Sequence, residues 1–257
     1  MSEAIEIVFE RVSKSFARTG SAEPAFEAVS DLSFAVARGE LAVILGKTGC
    51  GKSTTFNLLS GLLHPTSGRV RVKGHDPFGE FDWFRGKIGI IFQNDRLMPW
   101  RTAIDNVALG LELNKMARSE RLDIASSWLK RLGLGGHEHD YPHALSGGMR
   151  QRVSIARAFA VRPDILLCDE PFSALDEITG DTLRAELLEL LHETGATGVF
   201  ITHSIDEALR VGSRILVFER PARIAYEARL HPEMSGEARA EIRAGILRVL
   251  AGNNAEG

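Results

Sequence analysis

Gly46-Lys47-Thr48-Gly49-Cys50-Gly51-Lys52-Ser53 restricts what this chain can fold into more than any other stretch. Two glycines separated by four residues and followed by Lys-Ser form a loop whose backbone N–H groups can cradle phosphates. The lysine reaches the β and γ oxygens and the hydroxyl serves a divalent cation. The flanks fit that reading. Leu41-Ala42-Val43-Ile44-Leu45 is a continuous apolar run, as a strand buried on both faces requires, and Thr54-Thr55-Phe56-Asn57-Leu58-Leu59 reads as a helix that opens directly after the loop. Strand, glycine loop and helix aim a helix N-terminus at an anion, and they commit the chain to an α/β sheet with its ligand at the carboxyl ends of the strands.

A second element of the same kind is Ile165-Leu166-Leu167-Cys168-Asp169-Glu170. The apolar run reads as another buried strand and delivers two carboxylates at its C-terminal end. Because successive strand side chains point to opposite faces, Asp169 is expected to face Mg²⁺, while Glu170 points toward a γ-phosphate and its attacking water. Gln93 follows the apolar Gly89-Ile90-Ile91-Phe92, and His203 follows Val199-Phe200-Ile201-Thr202. Both are expected at the ends of further buried strands.

Composition narrows the class. The 257 residues are 44% hydrophobic, enough for one α/β core and a smaller subdomain. Lys and Arg number 31 against 34 Asp and Glu, a net charge of −3, which gives no argument for nucleic acid as a partner. No apolar run approaches the ~18 residues that a membrane-spanning helix needs. Met1-Ser2-Glu3-Ala4-Ile5-Glu6 has neither the basic nor the apolar region of a signal peptide. The two cysteines, Cys50 and Cys168, both lie in nucleotide motifs, which fits a reduced, cytoplasmic setting. Cys50 stands near a helix start beside Lys47 and Lys52, and these surroundings are expected to favour its thiolate.

Leu145-Ser146-Gly147-Gly148-Met149-Arg150-Gln151-Arg152 then specifies the kind of nucleotide protein. It resembles the signature of the ATP-binding-cassette ATPases. That resemblance implies an α/β P-loop NTPase fold with a RecA-like core, an N-terminal antiparallel β subdomain and a helical signature subdomain. In such proteins two cassettes sandwich two ATP molecules, and each signature covers the nucleotide held by the opposite loop. By the resemblance, Gly46, Lys47, Thr48, Gly49, Cys50, Gly51, Lys52, Ser53 and Thr54 bind ATP together with Ser146, Gly147 and Gly148 of a second copy of the chain. Phe16 stacks on adenine, and Ser53, Gln93 and Asp169 serve Mg²⁺. Glu170, His203 and Gln93 act in catalysis, with His203 at the γ-phosphate. Ser173-Ala174-Leu175-Asp176 resembles the loop that crosses between paired cassettes.

The resemblance covers about Ile5 to Glu219, and the domain organisation expected from it is a cassette over 5–232 with a helical insert at about 95–155, followed by a short helical tail over 233–257. The insert contains Thr102 to Leu111 and the amphipathic Arg121 to Leu129. Arg96-Leu97-Met98-Pro99-Trp100-Arg101-Thr102-Ala103-Ile104-Asp105-Asn106-Val107 resembles the branch of importer ATPases that energise uptake of nitrate, sulfonates and taurine. It implies integral membrane permease subunits as partners, an extracytoplasmic solute-binding protein as an indirect one, no nucleic acid, and a place on the cytoplasmic face of the membrane. The hydrolytic motifs do not encode direction, so an exporter subunit is the alternative, with a non-transport cassette ATPase behind it. Trp100 alone reads equally as a contact for the permease and as a cap on the insert's own core. Ser204 stands where aspartate commonly follows the histidine, and Ser204-Ile205-Asp206-Glu207 reads as a capping box. The segment Ala17 to Pro24 is longer than the family pattern leads one to expect. In the tail, Ile242, Ile246, Val249 and Leu250 form one face of a helix beginning at Ser235.

Overall fold

The computed structural model describes residues 4–17, 26–231 and 233–252; most of the long Ala17 to Pro24 segment lies outside them. In chain order the elements are β1 (Ile5–Phe16), β2 (Phe26–Ala37), β3 (Leu41–Gly46), α1 (Lys52–Leu59), β4 (Ser67–Val72), β5 (Ile88–Ile91), α2 (Ala103–Val107), α3 (Leu109–Leu113), α4 (Arg118–Arg131), α5 (Gly147–Ala160), β6 (Ile165–Asp169), α6 (Glu177–Thr194), β7 (Thr197–Thr202), α7 (Ile205–Val211), β8 (Arg214–Glu219), β9 (Arg223–Arg229) and α8 (Gly236–Gly252). They fall into two compact units, Met1–Trp83 with Thr197–Gly257, and Phe84–Ala196. Among the described residues no helix is long and apolar enough to cross a membrane.

In the first unit β1 pairs antiparallel with β2 on one side and β4 on the other. Alternating residues of this sheet face inward, and Phe9 stacks on Phe34 with ring centroids 4.6 Å apart. A second sheet places β3 between β7 and β8, parallel to both, with β9 antiparallel beyond β8. Its three parallel strands are almost wholly buried, which is why they are written as unbroken apolar runs without alternation. α8 packs on β8, β9 and α7. Ile246 is buried there, and Gly245 lies so close to Tyr226 that a Cβ would fall 2.8 Å from its ring.

In the second unit β5 and β6 run parallel, with Ile91 opposite Cys168. Thr102 to Leu111, placed in the helical insert by sequence, holds two short helices, α2 and α3, joined at Ala108. Thr102 caps α2 by accepting the Asp105 N–H. α4 buries Ala125 and Leu129, and its Trp128 ring lies 5.7 Å from Phe159 of α5. Arg152 on α5 reaches both the Glu186 carboxylate on α6 and the Leu132 carbonyl. The unit is larger than the helical insert expected from sequence, because the β5–β6 pair and α6 belong to it.

Candidate functional site

The glycine loop joins β3 to α1. Gly51 is the N-cap of α1 with φ 108°, a left-handed conformation that glycine adopts freely. A Cβ there would fall 2.4 Å from the Ala28 carbonyl oxygen and 2.6 Å from the Ala222 Cβ, so this position admits no side chain. No side chain caps α1 and its first turn carries no acid, which leaves the positive end of the helix dipole directed at the loop. Lys52 is buried, and its ammonium donates to the carbonyls of Gly46 (2.7 Å) and Lys47 (3.0 Å). The cation is thus folded back over the loop that it serves. Thr48, Gly49 and Ser53 are exposed, and Lys47 and Thr54 are half-buried.

Cys50 corrects the sequence expectation. It is buried, and its Sγ packs so closely on Gly46 that a Cβ at that glycine would lie 2.6 Å away. Burial pushes the thiol pKa up, and the opposing pull of the Lys52 charge does not overcome it. Cys50 is a small packed thiol, not a thiolate.

His203 belongs to the same unit. β7 runs parallel to β3 with Thr202 opposite Leu45, so His203 leaves the sheet at the edge where Gly46 begins the loop, and it is exposed there. Phe16 ends β1 opposite Phe26. With 37% of its surface exposed it is no core residue, and the Lys14 ammonium lies 5.2 Å from its ring centroid. An aromatic face held at the surface beside a cation suits stacking on a planar base.

In the second unit, β5 ends at Ile91, so Gln93 lies two residues beyond the strand that it was expected to end, and it is exposed. β6 ends at Asp169. Glu170 therefore does not take its direction from strand alternation; it turns off the sheet with φ 47°. A non-glycine residue in that region costs of order 1 kcal/mol or more and persists where its surroundings impose it. Ser173 closes the turn that follows, its N–H (3.2 Å) and its hydroxyl (3.0 Å) both donating to the Glu170 carbonyl. Asp176 then caps α6 by accepting the Thr179 N–H at 3.0 Å, a bond that holds its carboxyl below the usual range.

Ser146 caps α5 by accepting the Met149 N–H at 3.3 Å, and Gly147 and Gly148 form the first turn, which carries no acid. A Cβ on Gly148 would fall 2.8 Å from Thr179 Cγ2, so this glycine lets the start of α5 lie against the start of α6. Ser146 and Gly147 are exposed, so this second helix N-terminus is open to an anion.

Three side chains that sequence reasoning passed over organise the segment after Gln93. Arg150 Nε bonds Asp95 Oδ2 at 2.9 Å, and Arg157 donates to the carbonyls of Asp95 (2.7 Å) and Arg96 (2.8 Å), both from α5. Asn106, wholly buried on α2, accepts the Met98 N–H at 2.7 Å and donates to the carbonyls of Met98, Arg101 and Thr102 at 3.2, 3.1 and 3.0 Å. The amide orientation is unambiguous, because the flipped form would set its oxygen against three carbonyl oxygens. The one hint in the sequence is a polar residue at an apolar-period position between Ala103 and Val107. Between these anchors Pro99 and Trp100 stand out at the surface, Trp100 with 72% of its area exposed, so Trp100 does not cap the insert's core.

The family model described as ABC transporter matches residues 29–173. The taurine import ATP-binding protein of Pseudomonas aeruginosa is 44% identical over 212 residues, 82% of this chain and 78% of that protein. The Fe(3+) ions import ATP-binding protein of Rhizobium etli is 42% identical over 217 residues, 83% of this chain and 58% of that protein. A solved dimeric ATP-binding cassette in a post-hydrolysis state, bound to ADP and Pi, superposes with a TM-score of 0.76 at 34% identity, over 88% of this chain and 99% of that one. The glycine loop, the two carboxylates and the signature glycines all stand on an α/β P-loop scaffold, and the chain belongs to the ABC transporter family as one of its ATP-binding, ATP-hydrolysing cassettes.

Proposed function

We propose that this ATPase energises a membrane importer of a small anionic or organosulfur/nitrogen solute of the nitrate, sulfonate and taurine kind, from the cytoplasmic face of the membrane. The observation that carries the reading is the segment Arg96 to Val107, clamped by Asn106, Arg150 and Arg157 so that Trp100 is held out to solvent. A rigid loop presenting an aromatic beside arginines is the kind of anchor that a protein partner buries. Similarity to a taurine import subunit supports this branch over the iron import relative, which this chain matches over little more than half of that protein's length.

In this reading Phe16 stacks on adenine, and the backbone from Gly46 to Thr54, with Lys52, grips the phosphates. Ser146, Gly147 and Gly148 of a second copy close over the γ-phosphate. The hydroxyl of Ser53, the amide oxygen of Gln93 and the carboxylate of Asp169 are hard oxygen donors, which fits Mg²⁺; the ion, when bound, supplies positive charge beside the β and γ oxygens. Glu170 orients the attacking water and accepts its proton, and His203 holds the γ-phosphate. ATP binding closes the pair of cassettes and hydrolysis reopens it, so the chemistry times a movement at the permease.

Glu170→Gln keeps the shape of the side chain and removes its basicity. The variant is expected to bind ATP, accumulate a closed dimer and turn over about 100-fold or more slowly. Wild-type turnover would remove Glu170 from the mechanism. Import is tested by gentle solubilisation of native membranes with the chain tagged. A polytopic permease together with a solute-binding protein supports it, and a polytopic protein that copurifies without one supports export.

A further inference from the structure

Thr202 is the last residue of β7 and is buried, yet it carries a hydroxyl used twice. The oxygen accepts the Ser204 N–H at 3.0 Å, and the O–H donates to the Glu207 carboxylate. Ser204 caps α7 by accepting the Glu207 N–H at 3.2 Å. In an ordinary capping box the glutamate would return to the Ser204 N–H itself. Here the Thr202 hydroxyl is inserted between them, so the three residues close a ring through one side-chain oxygen. His203 is the single residue spanned by that ring, and its backbone is fixed on both sides.

α7 has seven residues, too few for a helix to hold its shape alone, so the frame around His203 depends on what packs against it. α8 supplies that support. Arg243 pairs with Asp206 in the first turn of α7, Arg239 reaches the Leu209 carbonyl, and Ile246 is buried beneath. The Asp206 pair is exposed and contributes little energy by itself. The ring is the specific element, because a half-buried glutamate and a buried hydroxyl satisfy each other within it.

We propose that Thr202, with Ser204 and Glu207, is a positioning residue for hydrolysis: the ring holds the backbone of His203 so that its imidazole stands at the γ-phosphate. The inference rests on the role assigned to His203 above. It makes Ser204 a member of the ring that orients His203, beyond its role as a helix cap.

The test is steady-state ATPase kinetics of the full chain carrying Thr202→Val, Thr202→Ser, His203→Ala and the Thr202→Val/His203→Ala pair. Valine matches threonine in shape and can neither donate nor accept. Thr202→Val is expected to lower kcat about tenfold or more with KM for ATP changed less than twofold, and Thr202→Ser to restore most of the loss. The double variant is expected to turn over no more slowly than His203→Ala alone, because the ring acts only through the histidine. Independent, multiplicative losses would overturn the proposal and leave the reading of His203 intact. Wild-type kcat in His203→Ala would remove both. Should Thr202→Val fold poorly, Ser204→Gly keeps the helix start at small cost and opens the ring at the bond from the Glu207 N–H to the Ser204 hydroxyl, with the same pattern expected.

Discussion

Asn106→Ala is the substitution whose cost can be worked most directly from the geometry. The side chain makes four hydrogen bonds, all to the backbone of the segment from Met98 to Thr102, and it is wholly buried. The amide has one accepting oxygen and two N–H hydrogens, which the three carbonyls share, so the four contacts amount to about three full bonds; at about 1 kcal/mol net for each, the expected loss is about 3 kcal/mol. In a protein of this size that lowers Tm by about 6–12 °C, readable by calorimetry. Asn106→Asp separates this account from mere loss of volume. It keeps the acceptor for Met98 but turns a second oxygen toward three carbonyls, so it is expected to cost more than alanine at neutral pH. Those oxygens and burial raise the folded-state pKa of the introduced carboxyl above its unfolded value. Its protonated form can donate, so stability returns as pH falls below that folded pKa and is lost again as pH rises through it. A loss under about 1 kcal/mol in Asn106→Ala, or an aspartate variant as stable as wild type, would refute the argument.

Two glycines of the phosphate loop, Gly51 and Gly49, both have positive φ but differ in their surroundings. Gly49→Ala meets nothing within 4 Å and is expected to cost only the conformational penalty of about 1–2 kcal/mol, whereas Gly51→Ala must also displace the Ala28 carbonyl and is expected to abolish nucleotide binding; equal binding by the two variants, measured by fluorescent-nucleotide titration, would contradict this. Because burial raises its pKa, Cys50 is expected to react with iodoacetamide at pH 7.5 more slowly than free cysteine, the rate climbing as pH is raised above 9. Labelling faster than free cysteine would restore the thiolate.

What the sequence made legible follows from where the governing physics is local. β3, β6 and β7 are buried on both faces, so each is a plain apolar run, and the residues at their ends, Gly46 and Asp169 as the last of β3 and β6 and His203 just after β7, could be located by counting. α4 could be read from the spacing of its apolar residues. The misreadings share one cause. Cys50 was judged by its charged neighbours in sequence, but burial away from water pushes its pKa up against the pull of Lys52. Glu170 was assigned a direction from strand alternation, yet β6 stops one residue short and the backbone leaves the strand there with a positive φ. Arg150 and Arg157 show in the sequence as polar positions on α5, while their partners lie 55 and 62 residues away, a separation that no local pattern encodes.

Those two arginines also join distant parts of the insert. Arg150 is three residues past the Gly147 that opens α5, and Arg157 lies two turns further along the same helix; together they tie the chain just after Gln93 to the rod that begins at the signature. Asn106 ties the far side of the Trp100 loop to α2. On the proposed reading the signature and the Trp100 tip are two ends of one lever arm, and a displacement imposed at the signature is expected to reach the tip through these bonds. Cutting either end of the arm, at Arg157 or at Asn106, is then expected to uncouple transport from ATP hydrolysis while leaving hydrolysis itself running.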